Sequence, residues 1–357
     1  MSAPDQPLLV RVHDGIGHLT LNRPRALNAL SHDMVRTMRE ALSRWRDDDE
    51  VRTVVIDGAG ERGLCAGGDI RAIYDDGRAG TDHSIAYWAD EYRLDAEIAR
   101  YPKPVVTLMD GIVMGGGVGI AAHASHRVVT EDSVVAMPEV GIGFVPDVGG
   151  TYLLSRAPGE LGTHLGLTAE RMDAADALHC GFADHWVSRE RRTELMTALA
   201  AADADTALAA LATPPPEEST LAEQRGWIDA CYAADTVEEV VDRLAHHGAE
   251  PARAAADRLA QLPPTALKGT LRSLREARGD EILEDSLERE FRVSTRSFAG
   301  HDFLEGIRAQ VVDRDRSPVW RPATLAEVTD ADVDAHFAPL GERELELPRP
   351  TTTGDLR

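Results

Sequence analysis

Two short apolar runs, Leu8 to His13 and Ile16 to Leu21, flank Asp14-Gly15, a dipeptide that supplies positive φ for a tight turn, so the pattern predicts a β-hairpin at the start. Ser31 is placed to cap a helix in which Met34, Val35, Met38, Leu42 and Trp45 recur at helical spacing. Thr53 to Asp57 then reads as a short buried strand, and Pro104 to Met109 as another. Gly115-Gly116-Gly117 follows, then a helix-compatible Val118 to Ala124 and a strand over Arg127 to Thr130. This alternation predicts repeated α/β units over the first 190 or so residues. After Val187 the pattern becomes helical and rich in Ala, Arg, Glu and Asp, with a proline-bearing hinge over Ala212 to Thr220. From Leu221 to Phe337 it stays helix-compatible, broken at Pro263-Pro264 and again at Pro318 and Pro322. Beyond Ala338 the chain is polar and aperiodic, which predicts a loosely docked tail. The expected organisation is a core over 1–200, a helical region over 201–337 and a tail over 338–357.

Charge narrows the partners. With 38 basic against 61 acidic residues the net charge is −23, a surface that repels phosphate backbones and anionic lipid, so neither nucleic acid nor a membrane surface is an expected partner. Cys65, Cys180 and Cys231 are widely spaced and odd in number, fitting neither a disulfide framework nor a metal knuckle. The start lacks a basic segment followed by an apolar one, and no stretch approaches the roughly 18 apolar residues of a span. The expectation is a soluble, unprocessed protein of the reducing cytoplasm.

Three glycine-bearing segments carry the candidate chemistry: Cys65-Ala66-Gly67-Gly68-Asp69-Ile70, Met114 to Gly119, and Pro146-Asp147-Val148-Gly149-Gly150. Each falls between expected elements, where free backbone N–H groups point outward and glycine lets a ligand approach the main chain. Two such N–H groups aimed at one point make an oxyanion hole; any one of the segments alone reads more readily as a tight turn, and three in series weaken that reading. Gly117 to Ala122 also satisfies the dinucleotide fingerprint, but the acidic residue expected about 20 positions on is poorly met by Glu131 and Asp132. Glu139 and Asp147 bound an apolar stretch, where carboxyls can be desolvated and proton-active; the plainer reading of either is a cap or a surface acid. No G-x-S-x-G elbow occurs, and the histidines lack ligand spacing, so no metal is expected.

In this order the segments resemble the crotonase (enoyl-CoA hydratase/isomerase) superfamily, through Asn22 to Leu30, Cys65 to Ile70, Lys103-Pro104, Asp110-Gly111, Gly115 to Gly117 and Gly149-Gly150-Thr151. Within it the chain is more similar to the 3-hydroxyisobutyryl-CoA hydrolases, through Met114 to Gly119, Met137-Pro138-Glu139, Gly143 to Gly150, Asp302 to Ala309 and Ser317 to Trp320. The resemblance implies an α/β, ββα spiral core with a mainly helical C-terminal region that covers the site or joins subunits. It implies an acyl-CoA substrate with no metal or redox cofactor, and leaves a homo-oligomer open.

It also implies roles. Hydratases of the superfamily carry two glutamates, and the first of those positions is Gly119 here; the hydrolases keep the second, matching Glu139, and add an aspartate matching Asp147. On that pattern Glu139 attacks the thioester or activates water, Asp147 holds the 3-hydroxyl or positions the water, and the N–H groups of Gly68 and Gly116 hold the thioester oxygen. Ala66, Gly67, Asp69 and Ile70 line the adenine pocket with Gly68, Arg25 meets the phosphates in place of the lysine common in relatives, and Glu91 lies near the acyl group. The expected reaction is hydrolysis of a 3-hydroxyacyl-CoA. The alternatives are a hydratase or isomerase of the same fold, an NAD-dependent oxidoreductase, and a non-catalytic acyl-CoA-binding protein.

Overall fold

A computed structural model describes residues 6–349. The chain opens with the hairpin of β1 (Leu8–His13) and β2 (Ile16–Leu21), antiparallel with Leu8 opposite Leu21 and His13 opposite Ile16. Asp14 and Gly15 both adopt positive φ, as a two-residue turn of this kind requires. Ser31 accepts a hydrogen bond from the Met34 amide and caps α1 (His32–Trp45), whose apolar stripe is buried as the spacing predicts.

The remaining strands are β3 (Thr53–Gly58), β4 (Val105–Met109), β5 (Ile112–Met114), β6 (His126–Val129), β7 (Val134–Ala136) and β8 (His185–Trp186). They form a six-stranded sheet in the order β1-β2-β3-β4-β6-β8, parallel after the first pair, and a separate two-stranded parallel sheet of β5 and β7. Between them run α2 (Ile70–Ala79), α3 (His83–Ala99), α4 (Gly116–Ala122), α5 (Gly150–Arg156), α6 (Leu161–Thr168) and α7 (Ala174–His179).

The period of two along β3 divides the core. Val54 and Ile56 join the main cluster with Met34, Met38 and Tyr92, while Val55 joins Ile16, Val106 and Val128 on the opposite face. That second face is covered by α8 (Arg192–Ala201) and α9 (Ala204–Leu211) through Leu195, Leu199, Leu208 and Leu211. Residues 192–211 therefore serve the sheet, and a boundary at residue 200 falls inside this helix pair.

The hinge over 212–220 leads to α10 (Thr220–Tyr232), α11 (Val237–His246), α12 (Glu250–Leu259), α13 (Pro264–Ala277), α14 (Leu283–Ala299), α15 (Asp302–Ile307) and α16 (Asp330–Phe337). Pro264 opens α13 at its first position, where a missing N–H costs nothing. Residues 338–349, polar enough to predict loose docking, instead lie along α14: Leu345 and Leu347 are buried, Leu347 N donates to Glu288, and Arg349 pairs with Asp285 and Glu288 at 2.6 Å. The rest of the tail lies outside the described residues.

Candidate active site

Two main-chain turns meet at the rim of a small cavity. Cys65 N donates to Ile112 O and Met114 N to Cys65 O, fastening the 65–68 segment beside β5. Leu30 N donates to Gly67 O and Asp69 N to Leu30 O, and this pairing leaves the Gly68 N–H between them without a backbone acceptor. Gly116 is the first residue of α4, so its N–H has no partner inside the helix. A Cβ on Gly116 would stand 3.3 Å from Gly68 N and 2.4 Å from Glu91 Oε1, so only glycine keeps the two amides side by side under the acid. Gly67, at φ +107°, would likewise press a side chain against Met114 O.

The cavity, about 160 Å³, is lined by Ala66, Gly67, Gly68, Ile70, Glu91, Gly116, Glu139 and Asp147, with Ile73, Ile142 and the rings of Trp88, Phe144 and Phe303 forming an apolar wall. A larger groove of about 600 Å³ along Arg36, Arg39 and Arg44 of α1 is open surface, and its acids Glu40 and Asp90 stand among those arginines. An apolar wall and a few converging polar groups are the marks of a ligand site.

Glu139 opens a single 3-10 turn (Glu139–Ile142) after β7. Its Oε2 has no hydrogen-bond partner, and Oε1 stands 2.7 Å from where a Cβ on Gly115 would be. Asp147 accepts a hydrogen bond from Tyr92 Oη at 2.8 Å, and the same hydroxyl lies 2.8 Å from Ser294 Oγ on α14. Glu290, one turn earlier on α14, accepts from Gly149 N at 2.7 Å and from Thr151 N at 3.0 Å, fixing the loop that carries Asp147. Glu91 accepts from Tyr87 Oη at 2.6 Å. The C-terminal helices thus complete the site as well as covering it.

Five carboxyls, those of Glu91, Asp95, Glu139, Asp147 and Glu290, are buried here, and among the described residues no lysine, arginine or histidine pairs with any of them. Burial raises them all, because an uncompensated charge out of water is costly. Asp147 is pushed up to about 7, with the Tyr92 hydrogen bond restraining the rise. Glu91 goes to about 8 through burial and then the charge of Asp147, and Glu290 to about 8 through burial against the pull of its Thr151 and Gly149 donors. Glu139 and Asp95 are raised well above the usual carboxylate range, first by burial and then by neighbouring acids, with Asp147 foremost for Glu139 and Glu91 for Asp95. The cluster therefore holds protons at neutral pH and ionises one member at the expense of the others.

Of the residues expected from sequence, Ala66, Gly67, Gly68, Ile70, Glu91, Gly116, Glu139 and Asp147 come together in one lining. Asp69 does not join it: its side chain caps α2 by accepting from Ala72 N and pairs with Arg23 at 2.8 Å. Arg25 stands exposed in a 3-10 turn (Pro24–Ala26), its guanidinium making no ion pair among the described residues. The dinucleotide fingerprint has another cause. A Cβ at Gly117 would meet Cys65 O at 2.4 Å, and one at Gly119 would meet Val148 at 2.7 Å and Asp95 at 2.9 Å, so these glycines allow α4 to pack closely.

Sequence reasoning missed Asp95, Tyr92, Glu290 and Ser294. Tyr87, Glu91 and Asp95 follow at i, i+4 and i+8 on α3, a stripe that helical spacing could have disclosed. Glu290 and Ser294 approach from about 140 or more residues away, and nothing local announces them.

The enoyl-CoA hydratase/isomerase family model matches residues 16–337. Among curated proteins the chain is 41% identical to the mitochondrial 3-hydroxyisobutyryl-CoA hydrolase of Gallus gallus, over 95% of this chain and 91% of that one. It is 42% identical to the hydrolase of the same name from Danio rerio, over 93% and 89%. Among solved structures it superposes on a carnitinyl-CoA dehydratase from Mycobacterium thermoresistibile with a TM-score of 0.92 at 56% identity, covering 96% of this chain and 99% of that one. An enoyl-CoA hydratase from Rhodobacter sphaeroides 2.4.1 gives a TM-score of 0.89 at 42% identity, covering 96% and 100%. With its parallel sheet, small second sheet and converging glycine turns, the chain has the crotonase fold, and it is an enzyme belonging to the enoyl-CoA hydratase/isomerase family.

Proposed function

We propose that the protein hydrolyses the thioester of a short 3-hydroxyacyl-CoA, with 3-hydroxyisobutyryl-CoA as the favoured substrate. The observation that carries this reading is the meeting of Glu139 and Asp147 in one small lining with the Gly68 and Gly116 amides. The thioester oxygen accepts from the two amides, whose hydrogen bonds strengthen as negative charge builds on it. Glu139, when it is the member of the acid cluster that ionises, supplies the electron pair by one of two routes: direct attack on the carbonyl carbon to give an anhydride that water opens, or removal of a proton from an attacking water. In both the C–S bond breaks, the sulfur leaves with its electron pair and takes a proton, and the products are the 3-hydroxy acid and CoA. The reaction balances without a metal or redox group. Asp147 takes the substrate 3-hydroxyl or holds the water, and Glu91 borders the acyl group. Arg25, exposed and without an ion pair among the described residues, is available to the CoA phosphates, while Ala66 to Ile70 carry the adenine with Asp69 acting by fixing that loop.

Names borne by the hydrolase relatives favour this reading, while those of the two solved structures favour a hydratase. Position 119 supports hydrolysis over hydration. Hydration needs a second acid/base group near the double bond, and the space beside Gly119 is already filled by Asp95 and Val148. The test offers the purified protein 3-hydroxyisobutyryl-CoA and crotonyl-CoA, following free thiol in one and loss of enoyl absorbance in the other. Thiol release far exceeding hydration is expected, and rapid hydration without thiol release would overturn the assignment.

A further inference from the structure

The active-site cavity has a neighbour. On the far side of Phe303 lies a second cavity of about 280 Å³, enclosed by α13, α14, α16 and the start of α15. Phe303 is the residue the two linings share. Its ring stacks on Phe144 with centroids 4.3 Å apart and leans on Trp88 at 6.1 Å, closing the apolar end of the active-site cavity. One flank of the second cavity is apolar, through buried Val145, Ala266, Val293 and Val333; buried Ser297 and Asp302 line it as well, and His301, Arg321 and Asp332 at its border are exposed. The main chain around the partition has little room to shift. A Cβ on Gly143 would meet Asp302 O at 2.4 Å, and one on Gly306 would meet Ile142 O at 2.2 Å, so α15 lies hard against the 139–143 turn.

We propose that Phe303 is the specificity-determining residue for acyl length: it stands between a short acyl site and a latent apolar extension, and so confines the enzyme to short acyl groups. The active-site cavity alone is smaller than the roughly 300–1,000 Å³ of pockets that enclose larger ligands, so a chain of several more carbons needs space beyond the wall. The second cavity supplies that space, and its flank of Val145, Ala266, Val293 and Val333 offers a hydrocarbon an apolar surface. This inference rests on the acyl-thioester reading of the site, but not on which reaction follows binding.

The experiment compares 3-hydroxybutyryl-CoA with 3-hydroxyoctanoyl-CoA in the unmodified protein, in Phe303→Leu, and in Phe303→Leu combined with Gly269→Leu. Leucine at 303 keeps an apolar side chain in the core while removing the far edge of the ring. Gly269, in the middle of α13, lines the second cavity, and a Cβ there would touch only Val145 Cγ1 at 3.6 Å, so the side chain of a leucine starts into that space without a clash at its first carbon. Phe303→Leu is expected to raise kcat/KM for the eight-carbon substrate relative to the four-carbon one by about tenfold or more, the scale at which a single methylene is discriminated in an apolar pocket. Gly269→Leu should reverse that gain and leave the four-carbon activity unchanged. The same comparison is made by calorimetry with non-hydrolysable butyl and octyl thioethers of CoA. If no variant releases thiol, the hydrolase reading fails while the binding ratios still report on Phe303. A folded Phe303→Leu with unchanged ratios in turnover and binding would overturn the proposal, as would a gain that Gly269→Leu leaves intact.

Discussion

Glu139 has one oxygen without a partner and an acid for its foremost charged neighbour, so its ionisation is set first by burial and then by the charge of Asp147. Glu139→Gln preserves shape but removes the anionic oxygen that attacks or takes the proton. Turnover is expected to fall roughly 10²–10⁴-fold with KM little changed, read from initial rates of thiol release. Asp147→Asn tests the electrostatics. Because the charge of Asp147 raises Glu139, an uncharged residue there lets Glu139 ionise at lower pH, and the acid limb of kcat/KM should move down by a measurable fraction of a unit or more, even as turnover on 3-hydroxy substrates drops. A limb that stays put would show that another group sets it. Gly116→Ala would place a methyl 2.4 Å from Glu91 Oε1 and beside Gly68 N, so a folded variant should lose activity by blocking the amide pair. These residues were legible in the sequence because each lies at the end of an apolar run or in a glycine turn. What was not legible is the company they keep: the hydroxyl on Asp147 comes from α3, and the carboxylate pinning its loop comes from α14.

Between α3 and α4 the fit is close enough that position 119 tolerates nothing larger than glycine. Gly119→Ala should destabilise the fold by about 1–3 kcal/mol, the usual cost of overfilling a packed interior, with a lowered urea midpoint as the measurement. Gly119→Glu should destabilise it further and confer no hydration of crotonyl-CoA, since the new side chain has no space in which to present its carboxyl; hydration appearing in a folded variant would contradict this account. Elements whose residues have a repeating period, such as β1, β2, α1, β3 and β4, were readable from sequence. The strands β5 and β7 have three residues each, too few to display a period, and they pair with each other across some twenty residues of sequence. The docking of residues 338–349 was hidden for a related reason. Two leucines and a set of ion pairs with α14 hold it, and neither makes a pattern without knowledge of the surface it meets.

Across the whole molecule the acid cluster couples stability to pH, and the sign follows from its raised proton affinity. Glu91, Asp147 and Glu290 have reference values of 4.5, 3.8 and 4.5 but about 8, 7 and 8 in the fold. Their stabilising contribution is complete below the reference values and is lost as pH rises toward the folded ones, because the unfolded chain gives up protons that the fold must keep. Buried His123, lowered from 6.5 to about 4, acts in the other direction, losing stability as pH falls below 6.5. Between pH 6.5 and 8 the acids therefore dominate, and urea denaturation should show stability falling across that window, each fully protonated acid contributing about 1.4 kcal/mol per pH unit. Asp95 isolates one member. It is wholly buried, neither oxygen has a partner, and it makes none of the hydrogen bonds that position Asp147. Asp95→Asn keeps its shape and cannot ionise in either state, so the variant should be more stable than the parent at pH 8 by a margin that shrinks toward pH 6.5. A margin independent of pH would mean that Asp95 is ionised in the fold and that the cluster divides its protons differently. A margin that grows with pH would identify a carboxyl retained at the expense of stability, as expected where a site requires charge in a place the fold alone would leave apolar.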